Sequence, residues 1–147
     1  MADLVNPHGG TLVNLLLSGP EKEDAEETFA GLRKLVLDER ELSDLEMLAV
    51  GAYSPLRGFM GFEDYRSVIE NMRLAIGHIW TIPITLMVDE YAAGWVREGE
   101  RIGLTDPSGQ AKAIMDVSEK FTVDKKKEAE LVYRTTDAGH PGVAYIY

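Results

Sequence analysis

The tetrapeptide Asp106-Pro107-Ser108-Gly109 lies between two runs rich in strand-forming residues, 100–105 and 110–117, and it limits the fold more tightly than any other stretch. Proline presets φ for the second position of a type I turn, and Gly109 suits the left-handed residue that closes a hairpin. An antiparallel pair is therefore expected across 100–117. Runs with helical spacing on both sides of it exclude an all-β chain, so the fold class is mixed α and β.

Over 22–34 the apolar residues Ala25, Phe29 and Leu32 recur at helical spacing, with Glu21, Glu23 and Asp24 gathered at the positive end of the macrodipole. Ser43-Asp44-Leu45-Glu46 has the form of a capping box, with Leu42 and Met47 placed as its hydrophobic staple. Gly51 and Ser54-Pro55 should close that helix. Further helices are expected over 63–73, with Tyr65, Val68, Ile69 and Met72 on one face, and over 125–133. Apolar runs at 11–17 and 82–88 read as strands, the second with Pro83 at its start or on an edge, and 35–37 reads as a very short one. Residues 143–147 are apolar and read as a terminal strand or as the lead into further sequence.

A chain of 147 residues buries roughly two-thirds of its unfolded surface, enough for one real core, so a single domain over 1–147 is expected. It has no cysteine, which excludes a disulfide framework and a thiolate zinc site and fits a cytoplasmic location. The first twenty residues lack a basic leader, and Leu15-Leu16-Leu17 is too short for a signal core or a membrane span. The net charge of -10 repels polyanions, and the only basic cluster, Lys125-Lys126-Lys127, is followed by Glu128 and Glu130. Neither a nucleic-acid nor a membrane partner is expected.

No G-x-x-x-x-G-K-[ST] or G-x-G-x-x-G cradle for phosphate occurs, and no G-x-S-x-G elbow. His8, His78 and His140 are far apart, without metal-ligand spacing. Ser54 and Ser108 belong to turns, and the carboxylate groups Asp44 with Glu46, and Asp24 with Glu26 and Glu27, read as helix caps or solvated faces. Arg57, in the stretch SPLRGFMG at 54–61, invites an anion-binding reading. Its position between two helices favours a corner instead, with Leu56, Phe59, Met60 and Phe62 as apolar pins. No catalytic, cofactor-binding or metal-binding residue is assigned.

Four stretches taken together resemble the amino-terminal domain of ATP sulfurylase (sulfate adenylyltransferase): PHGGTLVNLL at 7–16, ELSDLEMLAVGAYSPLRGFMG at 41–61, IWTIPITLMVD at 79–89 and TTDAGHPGVAYIY at 135–147. The resemblance implies a PUA-like fold, a mixed sheet or pseudobarrel with peripheral helices, which leads after 135–147 into a catalytic domain. It also implies that the parent enzyme joins ATP and sulfate into adenosine 5′-phosphosulfate and pyrophosphate, uses MgATP, and forms a homo-oligomer. The family's catalytic motifs, Q-x-R-N-P and H-x-x-H, do not occur in these residues, so this chain is expected to be inactive alone, to hold no cofactor, and to have that catalytic domain as its partner. The alternatives are a free-standing PUA-like interaction module and, against the acidic charge, an RNA-binding PUA protein.

Overall fold

A computed structural model describes residues 3–147 of the chain. They gather into two compact units, one holding the residues up to Phe59 together with Leu86–Glu119, the other Met60–Thr85 with Lys120–Tyr147. The first is built around a three-stranded sheet and the second around helices.

In the first unit, α1 (Gly19–Ala30) begins with Pro20, whose missing N–H costs nothing in the first turn. The helix follows directly on the run at 11–17, with Ser18 as its N-cap. It stops at Gly31, short of the expected 34, and leads into β1 (Lys34–Val36). Parallel pairing joins β1 to β2 (Arg101–Thr105), and β2 pairs antiparallel with β3 (Ala111–Asp116). The expected hairpin is therefore present. Its turn is closed by hydrogen bonds from Asp106 N–H to the Gln110 carbonyl and from Gly109 N–H to the Asp106 carbonyl, with Gly109 at φ 84°. A register shift beside Leu104 and Thr105 marks a bulge next to the turn.

β2 is the central strand, and its residues after Arg101 are buried. Ile102 and Leu104 join Leu37, Val96 and Val117 in one apolar cluster, on which Leu35, Leu42, Leu45, Phe59 and Trp95 pack. Gly103 lets α1 approach the sheet, because a Cβ there would run into the Phe29 ring. Arg33 lies over the Trp95 ring at 4.4 Å from its centroid, a cation–π contact.

α2 (Glu39–Ala49) starts five residues before the expected boundary. Its capping box is Asp38 with Glu41, not Ser43 with Glu46: Glu41 N–H donates to Asp38 Oδ1 at 2.8 Å, and Asp38 N–H donates to Glu41 Oε2 at 2.9 Å. Both tetrapeptides fit the local template. Burial decides between them, because Leu37 before the cap and Leu42 after it both belong to the apolar cluster and so occupy the staple positions. Gly51, at φ 85°, ends the helix as expected. Asp89 caps a short α4 (Glu90–Trp95), which no sequence signal above anticipates.

Residues 11–17 are not a strand. Val13 N–H donates to Ser54 Oγ, and Leu15 N–H donates to the Ala49 carbonyl at the end of α2. The run thus occupies a helix-terminal carbonyl that α2 itself cannot satisfy, rather than joining a ladder.

The second unit holds α3 (Phe62–Asn71), α5 (Lys125–Tyr133) and α6 (Pro141–Ile146). α5 spans the expected residues, capped by Asp124, which accepts from the N–H groups of Lys126 and Lys127. Tyr65, Val68 and Ile69 of α3 are buried as its periodicity predicts, whereas Met72, beyond its last turn in a left-handed conformation, is exposed. Residues 82–88 carry no strand. Ile84 bonds to Met60, its carbonyl accepting from Met60 N–H and its own N–H donating to Sδ, while Pro83 has no N–H to offer. The expected terminal strand at 143–147 is also absent: Pro141 sits in the first turn of α6, His140 Nδ1 accepts from Gly142 N–H, and Val143 and Ile146 are buried on the helix.

Candidate functional site

The stretch SPLRGFMG is a structural corner. Ser54 is buried and its hydroxyl donates to the Gly51 carbonyl at 2.6 Å while accepting from Val13 N–H at 2.9 Å. Leu56 and Met60 are buried, and Phe59 packs on the sheet cluster. Phe62 is 40% exposed, with its ring edge-on to Phe121. Arg57 points into solvent. The Ser54–Pro55 peptide is cis.

The titratable groups that burial raises are tied into packing contacts. In the second unit the Tyr65 hydroxyl donates to Glu128 Oε2 at 2.8 Å, joining α3 to α5. Burial first, then the Glu128 carboxylate, pushes the Tyr65 phenol far above its usual range, so it stays protonated. In the first unit burial raises the Asp44 carboxyl, which accepts from the Tyr53 hydroxyl at 3.0 Å, and burial likewise raises Glu41 in its capping box. These pairs satisfy buried oxygens and cap helices. His140 caps α6 and lies against the Tyr133 ring, and the His78 carbonyl closes a loop by accepting from Leu74 N–H. Among the described residues no group of three or more His, Asp or Glu side chains could hold a metal ion. No helix among them is long and apolar enough to cross a membrane. The basic cluster is partly committed, with Lys127 Nζ 2.8 Å from Glu70 Oε1 and Lys125 Nζ donating to the Tyr147 carbonyl.

What distinguishes this surface is where its apolar side chains are exposed. In the first unit Leu12, Leu15, Leu16 and Leu17 are exposed along the run that covers the end of α2, beside Val50 of that end. In the second unit Met72, Ile76, Ile79 and Ile82 are exposed on and just after a tight antiparallel loop at 72–80. Both segments fall in stretches without acids. Residues 4–20 hold no Asp, Glu, Lys or Arg, and residues 71–88 hold no Asp or Glu, although the chain has 25 acidic side chains. Apart from Arg73, and Asp64 bonded to Ala75 N–H, the exposed side chains of these segments are uncharged, a composition nearer to that of an interface core than of a solvated surface.

The loop is also well held. Gly77 N–H donates to the Leu74 carbonyl, Leu74 N–H to the His78 carbonyl and Trp80 N–H to the Met72 carbonyl. Asp64 Oδ1 accepts from Ala75 N–H at 2.8 Å, and the Trp80 indole N–H donates to the Ile82 carbonyl. Sequence reasoning placed Met72 on a helix face and Ile82 in a strand, and so missed this surface. The available signal was negative, the missing acids of 71–88.

Comparison with known proteins places the chain. Residues 5–147 match the PUA-like domain family. A sulfate adenylyltransferase of Symbiobacterium thermophilum is 51% identical over 143 residues, covering 97% of this chain and 36% of the relative. One from a Synechococcus species is 48% identical over 99% of this chain and 37% of its own length, and a probable bifunctional SAT/APS kinase of Sorangium cellulosum is 47% identical over 97% of this chain and 25% of its own. Among solved structures, the hexameric APS kinase from Thiobacillus denitrificans superposes with a TM-score of 0.74 at 40% identity, over 83% of this chain and 24% of that one. The chain thus spans little more than a third of the adenylyltransferases it matches, and the mixed α and β fold with its three-stranded sheet agrees with the family assignment. The chain belongs to the PUA-like domain family.

Proposed function

We propose that this chain is the amino-terminal domain of a sulfate adenylyltransferase and that its work is to support and orient a catalytic domain rather than to carry out chemistry. The observation that carries this reading is the pairing of 51% identity across nearly the whole chain with coverage of only 36% of the relative. The exposed apolar surface supports it, since a domain that packs against another keeps such a surface for the contact.

The reaction named by those relatives brings an anionic nucleotide to sulfate and calls for concentrated positive charge. The residues present do not fit MgATP: there is no phosphate cradle, no metal-binding cluster among the described residues, and Arg57 stands exposed in a corner. The nucleotide, its magnesium ion and the turnover belong in this reading to the remainder of the parent enzyme. A homo-oligomeric parent and a cytoplasmic location are part of the same proposal; the hexameric neighbour supports the first.

The test replaces the matched region of the Symbiobacterium thermophilum enzyme with this chain and follows pyrophosphate release from ATP and sulfate. The chimera should turn over, the enzyme lacking that region should lose most of its activity, and the isolated chain should release none. Turnover by the isolated chain, or full activity without the region, would contradict the proposal.

A further inference from the structure

The loop at 72–80 carries an inference that rests on the proposed function and deepens it: we infer that this loop is the preformed docking element through which the domain engages the part of the enzyme beyond it, inserting Ile76 and Ile79 into an apolar acceptor there. Three observations point this way. Ile76 occupies a central turn position, where glycine, asparagine and aspartate are favoured for their backbone freedom or their hydrogen bonds to the turn, advantages isoleucine lacks, and 70% of this isoleucine is exposed. Five hydrogen bonds hold the turn and its flanks, so the apolar tip is presented in one conformation and little ordering entropy remains to be lost on docking. No acid lies in 71–88, and the Asp64 carboxylate at the loop is already bonded to Ala75 N–H, so covering Ile76 and Ile79 leaves no carboxylate of the loop without a partner.

The occupant follows from area and charge. Four side chains, Met72, Ile76, Ile79 and Ile82, fall well short of the roughly 1,200 Å² or more that a stable contact between separate molecules needs. Two free copies, each with a net charge of -10, also repel one another. A covalently joined domain needs far less, because linkage makes the contact intramolecular at high effective concentration. The relatives supply such a domain: the matched region is 36% of the Symbiobacterium thermophilum enzyme, which leaves the greater part of that protein to provide the acceptor.

Hydrogen exchange compares the isolated chain with the chimera described above. The amides of residues 72–80 should exchange at least about tenfold more slowly in the chimera. Replacing both Ile76→Lys and Ile79→Lys should abolish that slowing, whereas Tyr91→Lys, at an exposed side chain outside both apolar segments, should leave it intact. The serine pair, Ile76→Ser with Ile79→Ser, repeats the test without charge, and unchanged exchange at Val68 and Ile69 of α3, in the same unit, certifies that each variant is folded. Slowing at another segment with none at 72–80 overturns the docking loop but leaves the proposed function standing. No slowing anywhere on joining overturns both. Slow exchange of the loop in the isolated chain that grows with concentration overturns the inference in favour of a second copy.

Discussion

The hairpin at 101–116 and the loop at 72–80 are built on the same backbone plan and dispose of their apolar side chains in opposite ways. Each reverses the chain around a left-handed glycine, Gly109 at φ 84° and Gly77 at φ 99°. Each recruits a carboxylate to satisfy turn N–H groups: Asp106 accepts from Ser108 and Gln110 within the hairpin, and Asp64 accepts from Ala75 out of α3. In the hairpin the turn is polar and the apolar residues of β2 are buried in the sheet cluster. In the loop the turn itself is apolar and exposed. The backbone of both regions is held by hydrogen bonds around a positive-φ glycine, and the fate of the side chains separates an element that completes a core from one shaped for a partner.

The widest separation should appear on replacing the same residue type in each. Ile102, 1% exposed, should cost about 2 to 5 kcal/mol on replacement by alanine. Ile79, 60% exposed, should cost within about 0.5 kcal/mol in the isolated chain. Denaturant unfolding measures both, and equal losses would break the comparison. The glycines test the shared half of it. Around both Gly77 and Gly109 there is open space for a Cβ, so alanine pays only for the left-handed backbone, about 1 to 2 kcal/mol at each. A clear loss at Gly109 with none at Gly77 would mean that the loop is not held in the conformation described.

Smaller effects come from the carboxylates. Asp64→Ala should remove the acceptor for Ala75 N–H and lower stability by about 0.5 to 1 kcal/mol, while speeding exchange of the loop amides. Asp106 predicts a pH dependence. The Ser108 hydroxyl above all, with the Gln110 N–H and Lys112, holds its carboxyl below the ordinary aspartate range. The folded chain therefore binds that proton less tightly than the unfolded one. Its stabilisation is complete above the unfolded aspartate value of about 3.9 and is lost as pH falls through the lower folded value. The stability gap between wild type and Asp106→Asn should then narrow on acidification below about pH 4. A gap that widens there would contradict the assignment.

Much of the fold was legible where a signal is local and complete. The turn at 106–109 and α5 at Lys125–Tyr133 follow from residues within each segment. The start of α2 was displaced because two capping boxes compete in sequence, and burial of Leu37, a tertiary fact, chooses between them. The runs at 11–17 and 82–88 failed as strands for a different reason. An apolar stretch states that it avoids water but not how its N–H groups are satisfied, and here they go to Ser54, Ala49 and Met60. His140 and Pro141 made 141–146 helical although its β-branched and aromatic residues favour a strand. At the candidate site the corner around Ser54 could be read from its turn residues, but the docking loop could not. Its exposed isoleucines are ordinary core residues by type, and only the structure shows that they face outward.

Calorimetric unfolding of the chimera shows whether this domain supports its neighbour, because a domain docked on another shares its stability with it. The account predicts one coupled transition, at a higher temperature than that of the isolated chain, which separates into two when Ile76 and Ile79 are both replaced by lysine. Two independent transitions in the unmodified chimera, with this domain melting where the isolated chain melts, would contradict it.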